Sequence, residues 1–134
     1  MCTNYPHTSA MHKCLVNLPQ VLDSGGKCAI FECLFGIKSL GVEIYFYVLK
    51  QDRTIKEIAT KVRRDRTTAL RLLQKLMNQK LILRKTEMLS QGGIRHIYSA
   101  TPQESIKERL QETINDIEIA VEHLIKRDWK GLSD

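Results

Sequence analysis

The feature that most constrains this chain is a change of period in its apolar pattern. Within Arg66–Asn78, Ala69, Leu70, Leu72, Leu73, Leu76 and Met77 recur at helical spacing. After Gln79-Lys80 the pattern alternates instead: Ile82, Arg84 and Thr86 interleave with Leu83 and Lys85 as residues of a strand do. Ser90-Gln91-Gly92-Gly93 supplies a turn, and Ile94–Ala100 reads as a returning strand through Ile97 and Tyr98. A helix that runs straight into a β-hairpin leaves few ways to close a core.

Upstream of that helix the chain spells out two more. Leu40, Ile44, Tyr47 and Val48 form one stripe within Ser39–Lys50, widened by Val42, Phe46 and Leu49. Gln51-Asp52-Arg53 interrupts it. Thr54 can cap a short helix with Glu57 in its first turn and Ile55, Ile58, Ala59 and Val62 facing inward. After Arg63-Arg64-Asp65, Asp65 stands where it can cap the next helix. Two helices joined by a short turn and followed by a hairpin give a helix-turn-helix with a wing. The expected fold is therefore mainly α with a small β-hairpin, a winged helix-turn-helix, extended by a long C-terminal helix.

That last helix is announced by Thr101-Pro102-Gln103-Glu104, in which Thr101 can cap, Pro102 suits the first helical position and Glu104 can close a capping box. Ile106, Leu110, Ile114, Ile117, Val121 and Leu124 then mark a single apolar stripe, with charged residues opposite, to about Arg127. A helix this long exceeds what one small domain covers, so the stripe is expected to pack against a second copy, making a homodimer, or against the N-terminal extension. The organisation reads as 1–38, a cysteine-containing extension; 39–101, the winged helix; 102–128, the dimerisation helix; and 129–134, a tail.

The 134 residues suffice for one core, and the net charge of +6 is unevenly placed. Residues 50–100 carry thirteen Lys and Arg against Asp52, Glu57, Asp65 and Glu87, while 101–134 are net acidic. A polyanion is the partner such a block fits. On the helix at 66–78 the inward apolar face leaves Arg66, Thr67, Thr68, Arg71 and Lys75 outward, a composition suited to base edges and phosphates of double-stranded DNA. Lys56, Lys61, Arg63 and Arg64 are expected to meet phosphates, and Gln91, Gly92, Gly93, Arg95 and His96 of the wing to reach backbone or minor groove. The plainer reading is that the threonines cap and the arginines are solvated.

All four cysteines lie early, at Cys2, Cys14, Cys28 and Cys33. No CxxC pair occurs among them. Their number, with His7 and His12 near, would suffice for zinc or an iron–sulfur cluster. A redox thiol switch, or plain packing of Cys28 and Cys33 among Ala29, Ile30, Phe31, Leu34 and Phe35, are the other readings. Residues 1–10 carry no basic flank before an apolar block, and no apolar run approaches the roughly 18 residues of a membrane span, so a cytoplasmic protein is expected.

Ile58-Ala59, the run at 65–76 (DRTTALRLLQKL), Leu81-Ile82-Leu83-Arg84 and Tyr98-Ser99-Ala100-Thr101-Pro102 resemble archaeal TrmB-like regulators, and the layout is similar to MarR-type proteins. The resemblance covers about 40–127. It implies a homodimer that sets its second helix in the major groove and its wing near the backbone. Two departures stand out. Lys80 occupies the place where the family usually has Gly before the first wing strand, so this turn is expected to be built differently. No sugar-binding domain is expected after Asp134, and sugar sensing is not carried over.

No phosphate loop, HExxH or GxSxG is present, which argues against an enzyme. The alternative from another class is a winged-helix protein-interaction or redox-sensing adaptor that ignores DNA.

Overall fold

The computed structural model describes residues 27–132. The elements run α1 (Lys27–Phe35), α2 (Ser39–Lys50), α3 (Ile55–Val62), α4 (Arg66–Asn78), β1 (Ile82–Met88), β2 (Ile94–Ala100) and α5 (Gln103–Lys126), with a 3-10 turn at Trp129–Gly131. The strands pair antiparallel, from Ile82 opposite Ala100 to Met88 opposite Ile94. Arg53 adds a short third rung: its N–H donates to Tyr98 O at 2.9 Å and its carbonyl accepts from Tyr98 N at 2.8 Å. This is the winged helix expected from the period change.

The core is built from the inward stripe of each element. Val42, Ile44, Tyr45 and Val48 of α2 meet Ile58 and Val62 of α3, Leu73 and Leu76 of α4, and Leu81, Ile82 and Tyr98 of the hairpin. Burial of such side chains contributes roughly 1.5–3 kcal/mol each, which is what holds short helices of 8 and 13 residues in place. Gly41 marks the tightest approach, since a Cβ there would fall 2.6 Å from Ile37 Cγ2. At the wing tip Gly92 and Gly93 take φ of 90° and 86°, a turn that side chains resist.

Helix α1 falls in the segment expected to be an extension, yet Phe31, Phe35 and Ile37 belong to the same core. Phe31 and Phe35 pack edge to face with centroids 5.4 Å apart, and Phe31 reaches Tyr45 and Phe46 of α2.

Three local expectations are corrected. Lys80 does adopt the left-handed conformation, φ 57°. The end of α4 is a Schellman motif: Leu81 N–H donates to Leu76 O at 2.9 Å and Lys80 N–H to Met77 O at 2.9 Å. The buried Leu81–Leu76 pair that accompanies it holds a conformation lysine would not choose. Thr101 does not cap α5. The N-cap is Pro102, with no side-chain cap, because the Thr101 hydroxyl donates instead to Lys80 O at 2.7 Å. Ile106 is withdrawn from the expected dimer surface: it is buried in the chain's own core, and Leu110 is half-buried against that core.

Candidate nucleic-acid interface

Positioning begins with two helix caps. Thr54 accepts from Glu57 N at 3.3 Å while Glu57 Oε1 accepts from Thr54 N at 3.0 Å, a complete capping box that starts α3. The Asp65 carboxylate accepts from Thr68 N at 3.2 Å and starts α4. Both carboxyls sit below their usual range, Glu57 chiefly through the Thr54 backbone N–H, Asp65 chiefly through hydrogen bonding by the Thr68 hydroxyl. Between them Arg63 takes φ 56°, and its N–H to Thr60 O (3.2 Å) and Arg64 N–H to Ala59 O (3.1 Å) close α3 in a second Schellman turn. These bonds fix the end of α3 and the start of α4, and the burial of Ile58, Val62 and Leu73 in one core packs the two helices together.

On α4, Ala69, Leu73 and Leu76 are buried, so Arg66, Thr67 and Arg71 point away from the body as expected. Thr68 is half-buried beside its cap. Leu70 and Gln74 join the outward stripe, and neither was in the expected set. Steps of three and four residues from Thr67 through Leu70 and Arg71 to Gln74 are the signal that identifies them. Leu70, which its helical spacing groups with the inward apolar stripe, is 36% exposed. Gln74 Nε2 donates to Asn78 Oδ1 at 2.9 Å.

The expected phosphate-contacting residues divide into two groups. Lys56, Arg63, Arg64 and Arg66 line one shallow concavity of about 430 Å³ at the α3–α4 turn, together with Ile55, Ala59 and Thr60. Four cationic side chains around one hollow beside an exposed helix start concentrate positive charge on this face. Arg64 also secures the turn, since its Nη1 donates to Arg63 O at 3.0 Å. Lys61 and Lys75 lie elsewhere. Lys61 Nζ is 5.5 Å from the Tyr47 ring, toward α2. Lys75 lines a small pocket with Gly36, Ile37, Lys38, Gly41 and Leu72, on the flank of α4.

At the wing Gln91, Gly92, Gly93, Arg95 and His96 are all exposed. Arg95 is partly neutralised, because its Nε donates to Glu87 Oε2 at 2.8 Å across the hairpin. At the base of the wing Arg53 stacks 3.8 Å above Tyr47 and pairs with Glu57 at 3.7 Å.

Of the expected metal ligands, Cys2 and Cys14 lie outside the described residues. Cys28 is exposed and Cys33 half-buried on α1, five positions apart and so about 140° apart around the helix. Among the described residues no group of three or more His, Cys, Asp or Glu is placed to hold a metal ion. No described helix is long and apolar enough to cross a membrane.

Along α5 the apolar stripe beyond the body stays open: Ile114, Ile117, Val121 and Leu124 are 47–49% exposed. Trp129 folds back at its end, Nε1 donating to Leu124 O at 2.6 Å.

Residues 32–104 match the model of the family described as the sugar-specific transcriptional regulator TrmB. The chain is 38% identical over 89 residues to the uncharacterized protein MJ1503 of Methanocaldococcus jannaschii, an overlap of 66% of this chain and 67% of that protein. Among solved structures, a possible transcriptional regulator of Methanosarcina mazei Go1 superposes with a TM-score of 0.63 at 16% identity, covering 72% of this chain and 83% of that one. The protein ST1889 of Sulfolobus tokodaii does so with a TM-score of 0.57 at 20% identity, covering 78% and 98%. At such identities the superpositions speak for the fold.

Proposed function

The chain belongs to the TrmB family of transcriptional regulators, and from that premise we propose that it acts as a homodimer that binds double-stranded DNA in a sequence-specific way. One observation carries this reading. The outward stripe of α4 (Thr67, Arg71, Gln74) adjoins a hollow ringed by Lys56, Arg63, Arg64 and Arg66. Base-reading and phosphate-holding chemistry therefore share one exposed face.

The roles follow from side-chain chemistry. Arg71 can meet guanine O6 and N7 with two donors, Gln74 an adenine edge, and Leu70 or the Thr67 methyl a thymine methyl. The cations around the α3–α4 turn neutralise phosphates and set affinity without reading sequence. Arg95 and His96 lie on the hairpin that flanks the duplex. The second copy docks through Ile114, Ile117, Val121 and Leu124, whose half-exposed faces form one continuous strip on α5. Two bodies then present two recognition helices to successive major grooves, about 34–36 Å apart.

The test is a selection of duplexes from a randomised pool with the purified chain, followed by binding measurements on the enriched sequence. A regulator of this kind enriches a two-fold repeat. An adaptor enriches nothing and shows no salt-dependent binding.

A further inference from the structure

Helix α5 leaves the body as a cantilever. Ile106 is buried, Leu110 is half-buried, and the Arg109 guanidinium lies 4.8 Å from the Phe35 ring. From Gln111 to Gly131 every residue except Thr113 is exposed. The direction of this arm is therefore set over its first two turns and at the residue before it.

That residue is Thr101, and all three of its polar groups are tied to the body. Its N–H donates to Leu81 O at 2.9 Å and its hydroxyl donates to Lys80 O at 2.7 Å. Its carbonyl accepts from the Tyr45 hydroxyl at 2.8 Å. Two of the bonds end on the Schellman turn that closes α4, and the third ends on α2. Burial, with Glu104 adding to it, raises the Tyr45 phenol above its ordinary range. Pro102 follows with φ −53° and has no N–H to offer. One residue thus fastens the C-terminal arm to the end of the recognition helix.

Resting on the dimeric DNA-binding reading above, we propose that Thr101 is the positioning residue that sets the angle between α5 and α4, and with it the spacing of half-sites that the dimer accepts. The lever is long enough to matter. With 24 residues α5 spans about 36 Å, so a swing of about 10° at the joint moves its far end by about 6 Å. A base-pair step rises about 3.4 Å, so that swing corresponds to nearly two steps.

The experiment is selection from a random pool of duplexes of about thirty base pairs, long enough for two half-sites one turn apart, with the full chain, Thr101→Val, Thr101→Ser and Tyr45→Phe. The wild-type chain should enrich one half-site sequence at one spacing. Thr101→Val keeps the side-chain shape and removes the donor. It should enrich the same half-site at several spacings, with the preference for the wild-type spacing reduced about fivefold, the scale of one lost hydrogen bond. Thr101→Ser should restore the single spacing, and Tyr45→Phe should broaden it as Thr101→Val does. A residue that only stabilised the fold would lower the melting temperature and leave the spacing alone. The proposal is overturned if Thr101→Val and Tyr45→Phe, both folded by circular dichroism, keep the wild-type spacing. If the wild-type chain enriches no sequence at all, the DNA-binding reading fails and the proposal falls with it.

Discussion

Lys80 and Arg63 hold φ of 57° and 56°, where a Cβ costs about 1–2 kcal/mol. Lys80 itself joins the turn through its N–H and carbonyl, which glycine keeps, so Lys80→Gly should raise stability by about 0.5–1 kcal/mol after the entropy of a freer unfolded chain is subtracted. Urea denaturation measures it, and a loss of stability would show that the lysine side chain secures the turn. The two caps make a pH prediction. Because the folded-state values of Asp65 and Glu57 are depressed, their contribution is complete above the ordinary carboxylate range of about 4 and is lost as pH falls through the folded values. Asp65→Ala should therefore lower the thermal midpoint at neutral pH, with the gap to wild type narrowing below about pH 4. A gap independent of pH would contradict the cap. On the outward face, Arg71→Ala should cost about 1–3 kcal/mol on the selected site and relax base preference, whereas Lys56→Ala should weaken all duplexes alike and reduce the salt slope by about 1. Competition titrations against shuffled duplexes separate the two.

Among the elements, α5 gives the clearest consequence. Its stripe is continuous in sequence from Ile106 to Leu124, but the body buries Ile106 and half-buries Leu110, leaving the segment from Ile114 onward exposed. Ile117→Asp combined with Val121→Asp should yield a folded monomer by sedimentation equilibrium, because neither residue lies in the core. A dimer that persists would place the interface elsewhere. The same division explains what was readable beforehand. The helices, their caps at Thr54 and Asp65, and the hairpin are local patterns of spacing and turn chemistry, and the chain spells them out. The rung at Arg53 has no period because it is one residue long. Thr101-Pro102-Gln103-Glu104 spells a capping box, but a carbonyl 21 positions away takes the hydroxyl. The gathering of Lys56 with Arg63, Arg64 and Arg66, and the departure of Lys61 and Lys75 from them, depend on the packing angle of α3 on α4, which residue spacing does not encode.

At the scale of the whole molecule, the net charge of +6 matters less than its arrangement. Four cations of the central block, Lys56, Arg63, Arg64 and Arg66, gather at the α3–α4 turn, and the acidic C-terminal segment, with its open apolar stripe, lies on the arm. In the proposed dimer, association through α5 would double this cationic face and bring two copies of α4 to one duplex. The most direct measurement is the affinity of the purified chain for its selected duplex, by fluorescence anisotropy, from about 50 to 200 mM salt. With about six to ten phosphates neutralised by the dimer, log K should fall linearly with log salt at a slope between about −5 and −9. A slope near zero, or no binding at the lowest salt, would contradict the claim that this surface exists to hold DNA.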